Sequence, residues 1–320
     1  MQLSFDQITS VLFGALECAE GPEGLQLNRF TEAQRQILSA LPNANRLNRS
    51  LASAGIHLDF FTDSDFLELS LLHAPASSQP VCYTDVYEDG RLLLRCGFEN
   101  AEGGPLHLRA ALKPGRSRVT VWLPCLFSTV LRSIRLADGA SLEPAPKKER
   151  LLFLGDSITQ GYITPAPSLC YTNLVTAALE ADCLNQAIAG ARFGEIPPEM
   201  TGLYRPDRIL IAYGTNDFSH REEVATNAAV FLRNVRTAYP GVPIIGVLPI
   251  WRGILREEAE KQRFLEMLRD IRAVYETLPD CTVLDGMTLV AHTPDCFAPD
   301  VLHPNTEGFR QYAENLLKYL

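Results

Sequence analysis

Two periods govern the hydrophobic and polar positions along the chain. From residue 55 to about 136, short segments alternate. GIHLDFFT places Ile56, Leu58 and Phe60 on one face, LHLRAAL sets Leu106, Leu108 and Ala110 against His107 and Arg109, and RVTVWL repeats the pattern with Val119, Val121 and Leu123. A period of two is that of a strand with one face on a core. In VCYTDVYEDGRLLLRC, Asp89-Gly90 stands between two strand-like runs, and such a dipeptide suits the positive φ angles of a tight hairpin. One helix is predicted earlier, near FTEAQRQILSAL. Together these segments predict an antiparallel β-sandwich, jelly-roll-like in its strand pattern, over residues 1–145.

The pattern changes after GASLEPAPKKER (139–150), a proline-bearing, charged stretch that reads as a linker. Apolar runs of strand length, LLFLG, CLNQAI, RILIAYG, PIIGVLP and TVLDG, then alternate with helical patterns such as EEVATNAAVFLRNVRTAY. In the last segment, NTEGFRQYAENLLKYL, Phe309, Tyr312, Leu316 and Leu320 share one helical face. Strands separated by helices imply an α/β unit over 146–320, with a parallel sheet covered on both sides.

A length of 320 residues suffices for two cores. The net charge of -9, with no basic patch, argues against nucleic acid or an anionic membrane surface as a partner. Arg29 is the first basic residue, so the apolar stretch from Ile8 to Leu16 lacks the positive start of a secretory signal. No apolar run reaches the ~18 residues of a membrane helix, and the expectation is a cytoplasmic chain. Eight cysteines without a C-x-x-C read as reduced core residues.

The C-terminal ends of parallel strands are where α/β proteins place ligands, and polar groups gather there. LLFLGDSITQGY brings Ser157 to such an end, RILIAYGTND brings Asn216, and CLNQAIAG brings Gly190. Acyl transfer needs a nucleophile, a base, an orienting acid and donors for an oxyanion. Ser157 suits the first role, although no G-x-S-x-G surrounds it. Of six histidines, His292 and His303 lie in the last connection, and Asp300 precedes His303 by three residues in DVLHP. That spacing lets a carboxylate accept the Nδ1 hydrogen and leaves Nε2 to take the serine proton. Two structural readings stand beside this one: Asp156 or Ser157 as a helix cap, and D-x-x-H as a turn. His292, Asp295, Cys296, Asp300 and His303 are also possible metal ligands, but their spacing matches no standard zinc motif. Neither metal nor cofactor is expected.

Four blocks, GDSITQG at 155–161, the glycine of NQAIAG at 190, GTND at 214–217 and DVLH at 300–303, resemble those of the SGNH (GDSL) hydrolase superfamily in order and separation. The resemblance covers about 150–320. It implies a flavodoxin-like α/β/α sandwich in which Ser157 is the nucleophile and Asp300 and His303 complete a triad. The N–H groups of Ser157 and Gly190 and the side chain of Asn216 would then form the oxyanion hole. A β-rich leading half before such a domain is similar to two-domain carbohydrate esterases of the acetylxylan type, family 2. This implies removal of a small acyl group, acetyl, from a sugar or small ester. Trp251 and Arg252, in LPIWRG after the fourth strand, suit stacking on a sugar ring or closure of a domain interface. The alternatives are a thioesterase or lysophospholipase with an apolar trough from Ile163, Phe193, Phe218 and Trp251, and an inactive sugar-binding module.

Overall fold

The alternating segments form two antiparallel sheets packed face to face. One orders Glu17–Gly21, Gly24–Asn28, Phe127–Arg135, Phe66–Pro75 and Gly104–Ala111. The other orders Leu12–Phe13, His57–Thr62, Ser117–Trp122, Cys82–Glu88 and Arg91–Phe98, with Glu143–Pro144 paired to His57–Thr62. This is a computed structural model and describes residues 1–320. The inward residues Leu58, Phe60, Val119 and Val121 of one sheet meet in one core with Leu69, Leu71 and Leu108 of the other. Asp89 and Gly90 both take positive φ, 47° and 77°, so the hairpin forms where the dipeptide predicts it. Before residue 55, Gly24–Asn28 alternates with Leu25 and Leu27 inward, but its neighbour does not follow the rule. Glu17–Gly21 is an edge strand, paired only to Gly24–Asn28, and carries few apolar residues.

The second half builds a parallel sheet in the order Asp182–Asn185, Arg150–Gly155, Arg208–Ala212, Ile244–Val247, Cys281–Leu284. The first two strands in sequence have exchanged places, as in flavodoxin-like sheets. Because successive side chains point to opposite faces, Leu152 and Leu154 enter the layer of helices Arg221–Ala238 and Glu258–Tyr275, while Leu151 and Phe153 enter that of Tyr171–Leu179 and Thr306–Leu316. The strand Arg150–Gly155 lies beside Arg208–Ala212, with Gly155 opposite Ala212, so the segments that follow both strands emerge at one edge. No helix is long and apolar enough to cross a membrane.

The two halves interlock more deeply than a linker would suggest. Phe30 and Leu38 of the leading half belong to the core of the parallel sheet, together with Leu152, Ile209 and Phe231. The stretch 139–150 is pinned as well: the Ala145 N–H donates to Asp59 O, and Lys147 reaches Asp59. His57 and Asp59, on the face that alternation assigns to solvent, are only 1% and 2% exposed because this strap and the other domain cover them. Burial works against the Asp59 charge, but Arg118 and Lys147 outweigh it and hold its carboxyl at about 2. Burial, with Lys147 alongside, pushes His57 down to about 3.

Arg29 sits at the junction, fully buried. Its guanidinium donates to the carbonyls of Ala52 and Arg49 on one side, and Asn185 and Ala187 on the other. Arg29→Met keeps the bulk and removes those donors. At ~1–3 kcal/mol for each buried polar group left unpaired, the variant should lose on the order of 3 kcal/mol or more of stability in urea denaturation. A midpoint equal to that of the parent would show that the guanidinium ties nothing together.

Candidate active site

The strand Arg150–Gly155 ends at a glycine for a steric reason: a Cβ on Gly155 would lie 2.4 Å from Thr159 Oγ1 and 3.0 Å from Ala212 O. Asp156 follows in extended backbone and caps the one-turn helix Ser157–Gln160, its Oδ1 accepting the Ile158 N–H at 3.0 Å. The capping and catalytic readings of G-D-S are therefore compatible. The cap fixes the turn that presents Ser157 as its first residue.

Ser157 Oγ lies 2.8 Å from His303 Nε2, and His303 Nδ1 lies 2.6 Å from Asp300 Oδ2. The other carboxylate oxygen of Asp300 accepts the backbone N–H groups of Leu302 and His303, both at 3.0 Å. Partial burial works against the Asp300 charge. The hydrogen bonds from His303 and Leu302 outweigh it and keep the carboxyl below its ordinary range. The turn reading of D-x-x-H describes the geometry, and the turn is what aims the imidazole. It needs positive φ at Val301, 52°, an unfavourable conformation for a β-branched residue.

Gly190 adopts φ 76°, and its N–H donates to no protein acceptor. Asn216 begins the short turn Asn216–His220 and donates one Nδ2 hydrogen to Ala191 O at 3.1 Å, so the second segment orients the amide of the third. Ser157, His303 and Asp300 are joined in one hydrogen-bonded chain, and Gly190 and Asn216 are joined through Ala191. Trp251 stacks on His292, with centroids 5.7 Å apart, and meets Phe297 edge-on. It braces the connection that carries His303. Arg252 donates to Thr215 O beside Asn216, and its guanidinium lies 5.1 Å from the Phe218 ring. Phe193 is buried against Tyr213 and Phe231. His292 contacts Met287 O, and no three His, Cys, Asp or Glu side chains converge where one ion could be held.

Tyr162 and Gln160 have places in the site that motif matching did not single out. The Tyr162 ring lies 4.8 Å from that of His303, and its hydroxyl is 3.2 Å from Ser78 Oγ of the β-sandwich. Gln160 Oε1 accepts the Ala189 N–H at 2.6 Å and so joins the serine turn to the Gly190 loop. Both lie inside GDSITQGY, and their position one turn beyond the serine is the signal that marks them.

Residues 153–311 match the GDSL-like Lipase/Acylhydrolase family. No curated protein sequence is significantly similar to this chain. Among solved structures, a salicylyl-acyltransferase from a tetracycline biosynthetic pathway superposes with a TM-score of 0.75 at 22% identity, covering 96% of this chain and 92% of its own. A protein described as a GDSL-like lipase from Bacteroides ovatus gives 0.79 at 16% identity, covering 100% and 96%. An acetyl xylan esterase from the rumen bacterium Butyrivibrio proteoclasticus gives 0.65 at 15% identity, covering 100% and 98%. At such identities the likeness establishes a shared fold, here one that spans both halves of the chain.

Burial raises the Asp156 carboxyl from 3.8 to about 7, and its Oδ2 is buried without a partner. The folded protein therefore keeps a proton that the unfolded chain has already released, and between about pH 4 and pH 7 stability falls as the pH rises. Asp156→Asn retains the oxygen that caps the turn and removes this titration. Chemical denaturation should find the variant close to the parent near pH 4 and more stable by on the order of 2–4 kcal/mol near pH 8. An equal difference at both pH values would contradict a buried, protonated carboxyl.

Proposed function

We propose that the protein, whose residues 153–311 belong to the GDSL-like lipase/acylhydrolase family, is a serine esterase that removes a small acyl group, acetyl above others, from a carbohydrate or similar polyol through an acyl-Ser157 intermediate. The observation that carries the reading is the continuous chain from Ser157 Oγ through His303 to Asp300, at 2.8 Å and 2.6 Å. His303 Nε2 takes the serine proton as Oγ attacks the acyl carbon. The oxyanion so formed accepts from the N–H groups of Ser157 and Gly190 and from Asn216 Nδ2. On collapse the alcohol leaves with the proton from His303, and water, activated by the same imidazole, releases the acid. Asp300 keeps Nδ1 protonated and stabilises the imidazolium.

Substrate size follows from the surroundings. The loop between the serine turn and the helix Tyr171–Leu179 is short and carries Pro165 and Pro167, and Phe193, one of the four residues a long trough would draw on, is buried in the core. Neither the cleft lined by His57, Arg118 and Trp122 nor the one lined by Glu68, Arg109 and Arg135 includes Ser157 or His303. A shallow acyl site cannot use the ~0.8 kcal/mol that each buried methylene could contribute. The acetyl xylan esterase among the structural neighbours supports a sugar as the alcohol portion.

Ser157→Ala should lower kcat by roughly 10³–10⁶-fold with the fold intact, and Asp300→Asn by a smaller factor, about 10²–10⁴. A general base acts only in its unprotonated form, and a kcat/KM profile flat down through about pH 5 would contradict a histidine base. On p-nitrophenyl esters and acetylated oligosaccharides, acetyl should exceed butyryl, with octanoyl nearly inert. Preference for octanoyl would shift the assignment to a lipid or thioester substrate. Acyl transfer to an added alcohol faster than hydrolysis would make the protein an acyltransferase.

A further inference from the structure

We infer that Arg46 and Arg49, supplied by the leading half of the chain, are positioning residues that turn the Gly190 N–H toward Ser157. The inference rests on the reading of Gly190 as an oxyanion donor. Both arginines lie on the helix Asn45–Ser50, three residues apart and therefore on one face. Arg46 Nη1 donates to Ala189 O at 2.9 Å and Arg49 Nη1 donates to the same oxygen at 2.7 Å. Arg46 Nη2 adds a bond to Gly190 O at 2.7 Å, and Glu195 anchors Arg46 from its far side.

In a trans peptide the carbonyl and the following N–H point in opposite directions. Two guanidinium groups that hold Ala189 O on the helix side therefore aim the Gly190 N–H away from the helix, where no protein group accepts it. The preceding peptide is fixed by Gln160, which belongs to the Ser157 turn itself. The approach is close, a Cβ on Gly190 lying 3.0 Å from Arg46 Nη1 and 3.1 Å from Arg49 Nη1, and the φ of 76° favours glycine there. The charges are not interchangeable. Glu195 neutralises Arg46, whereas Arg49 has no carboxylate within ion-pair distance. Arg49 thus places an uncompensated positive charge behind the peptide that would face the developing oxyanion, and a cation bonded to the carbonyl also polarises the N–H.

The experiment uses the full chain with Arg49→Met and Arg49→Lys, measured on p-nitrophenyl acetate and on an acetylated oligosaccharide, with an alkylboronic acid as a tetrahedral mimic. Removing one oxyanion donor costs about 10²–10³ in kcat, so displacing one through its brace should cost roughly 10–100-fold in Arg49→Met. KM and the pH profile should stay at the parent values, and boronate affinity should fall by about the same factor as kcat. The fall should be equal on both substrates, because the oxyanion is common to them. Arg49→Lys should recover part of it. Parent-level kcat and boronate affinity in Arg49→Met, or a loss confined to the oligosaccharide, would overturn the inference. Ser157→Ala and Asn216→Ala run in parallel separate the two levels. If they are inactive while Arg49→Met is not, only the bracing role fails. If Ser157→Ala retains parent activity, the esterase reading fails and the inference goes with it.

Discussion

The architecture depends on a charge with no access to water. Arg29 stands where the β-sandwich meets the first edge of the parallel sheet, and its donors are divided between carbonyls of both halves. Burial lowers the guanidinium to about 9, which still leaves it charged at neutral pH, and a buried charge is tolerated only with its donors satisfied. Those carbonyls must therefore stay where they are. One consequence is that the segment from Asn185 to Gly190 has no freedom to shift against the helix Asn45–Ser50. The loop that carries Gly190 is part of the domain junction as much as of the sheet.

The same constraint explains why the leading half is more than an appended module. Phe30 and Leu38 complete the hydrophobic layer against Leu152 and Phe231. Ser78 meets the hydroxyl of Tyr162, whose ring lies by His303. Arg46 and Arg49 hold the peptide before Gly190. The Gly190 loop is thus held directly from the leading half and the imidazole is reached from it only through Tyr162, while the serine turn and the Asp300 turn are built within the α/β half. A site assembled this way senses the relative position of the two halves.

Much of this was legible in the order of residues. Alternation at Ile56, Leu58 and Phe60, the Asp89-Gly90 turn and the succession of buried strands predict the sandwich and the parallel sheet. The flavodoxin-like order follows from the resemblance of the four blocks to a known superfamily. The same blocks bring Ser157, His303 and Asp300 into one hydrogen-bonded chain. What stayed hidden depends on long-range partners. His57 and Asp59 occupy positions that alternation gives to solvent, and only the covering domain makes them buried. Glu17–Gly21 is a strand because Gly24–Asn28 offers it hydrogen bonds, not because its side chains form a face. Trp251 and Arg252 follow the fourth strand as the sequence indicates, but their partners are His292, Phe297 and Thr215. Arg46 and Arg49 belong to a short polar helix with no local signal of a role, and the loop that they grip lies about 140 residues away.

The central claim, an acyl group carried covalently by Ser157, is tested most directly by trapping it. The Asp300→Asn protein, mixed with an acetyl ester, quenched in acid within the first turnovers and digested, should yield one acetylated peptide, and fragmentation should place the acetyl on Ser157. Deacetylation on longer incubation would show that the adduct lies on the reaction path. Turnover without any adduct, or an acetyl group on another residue with Ser157 unmodified, would contradict the account.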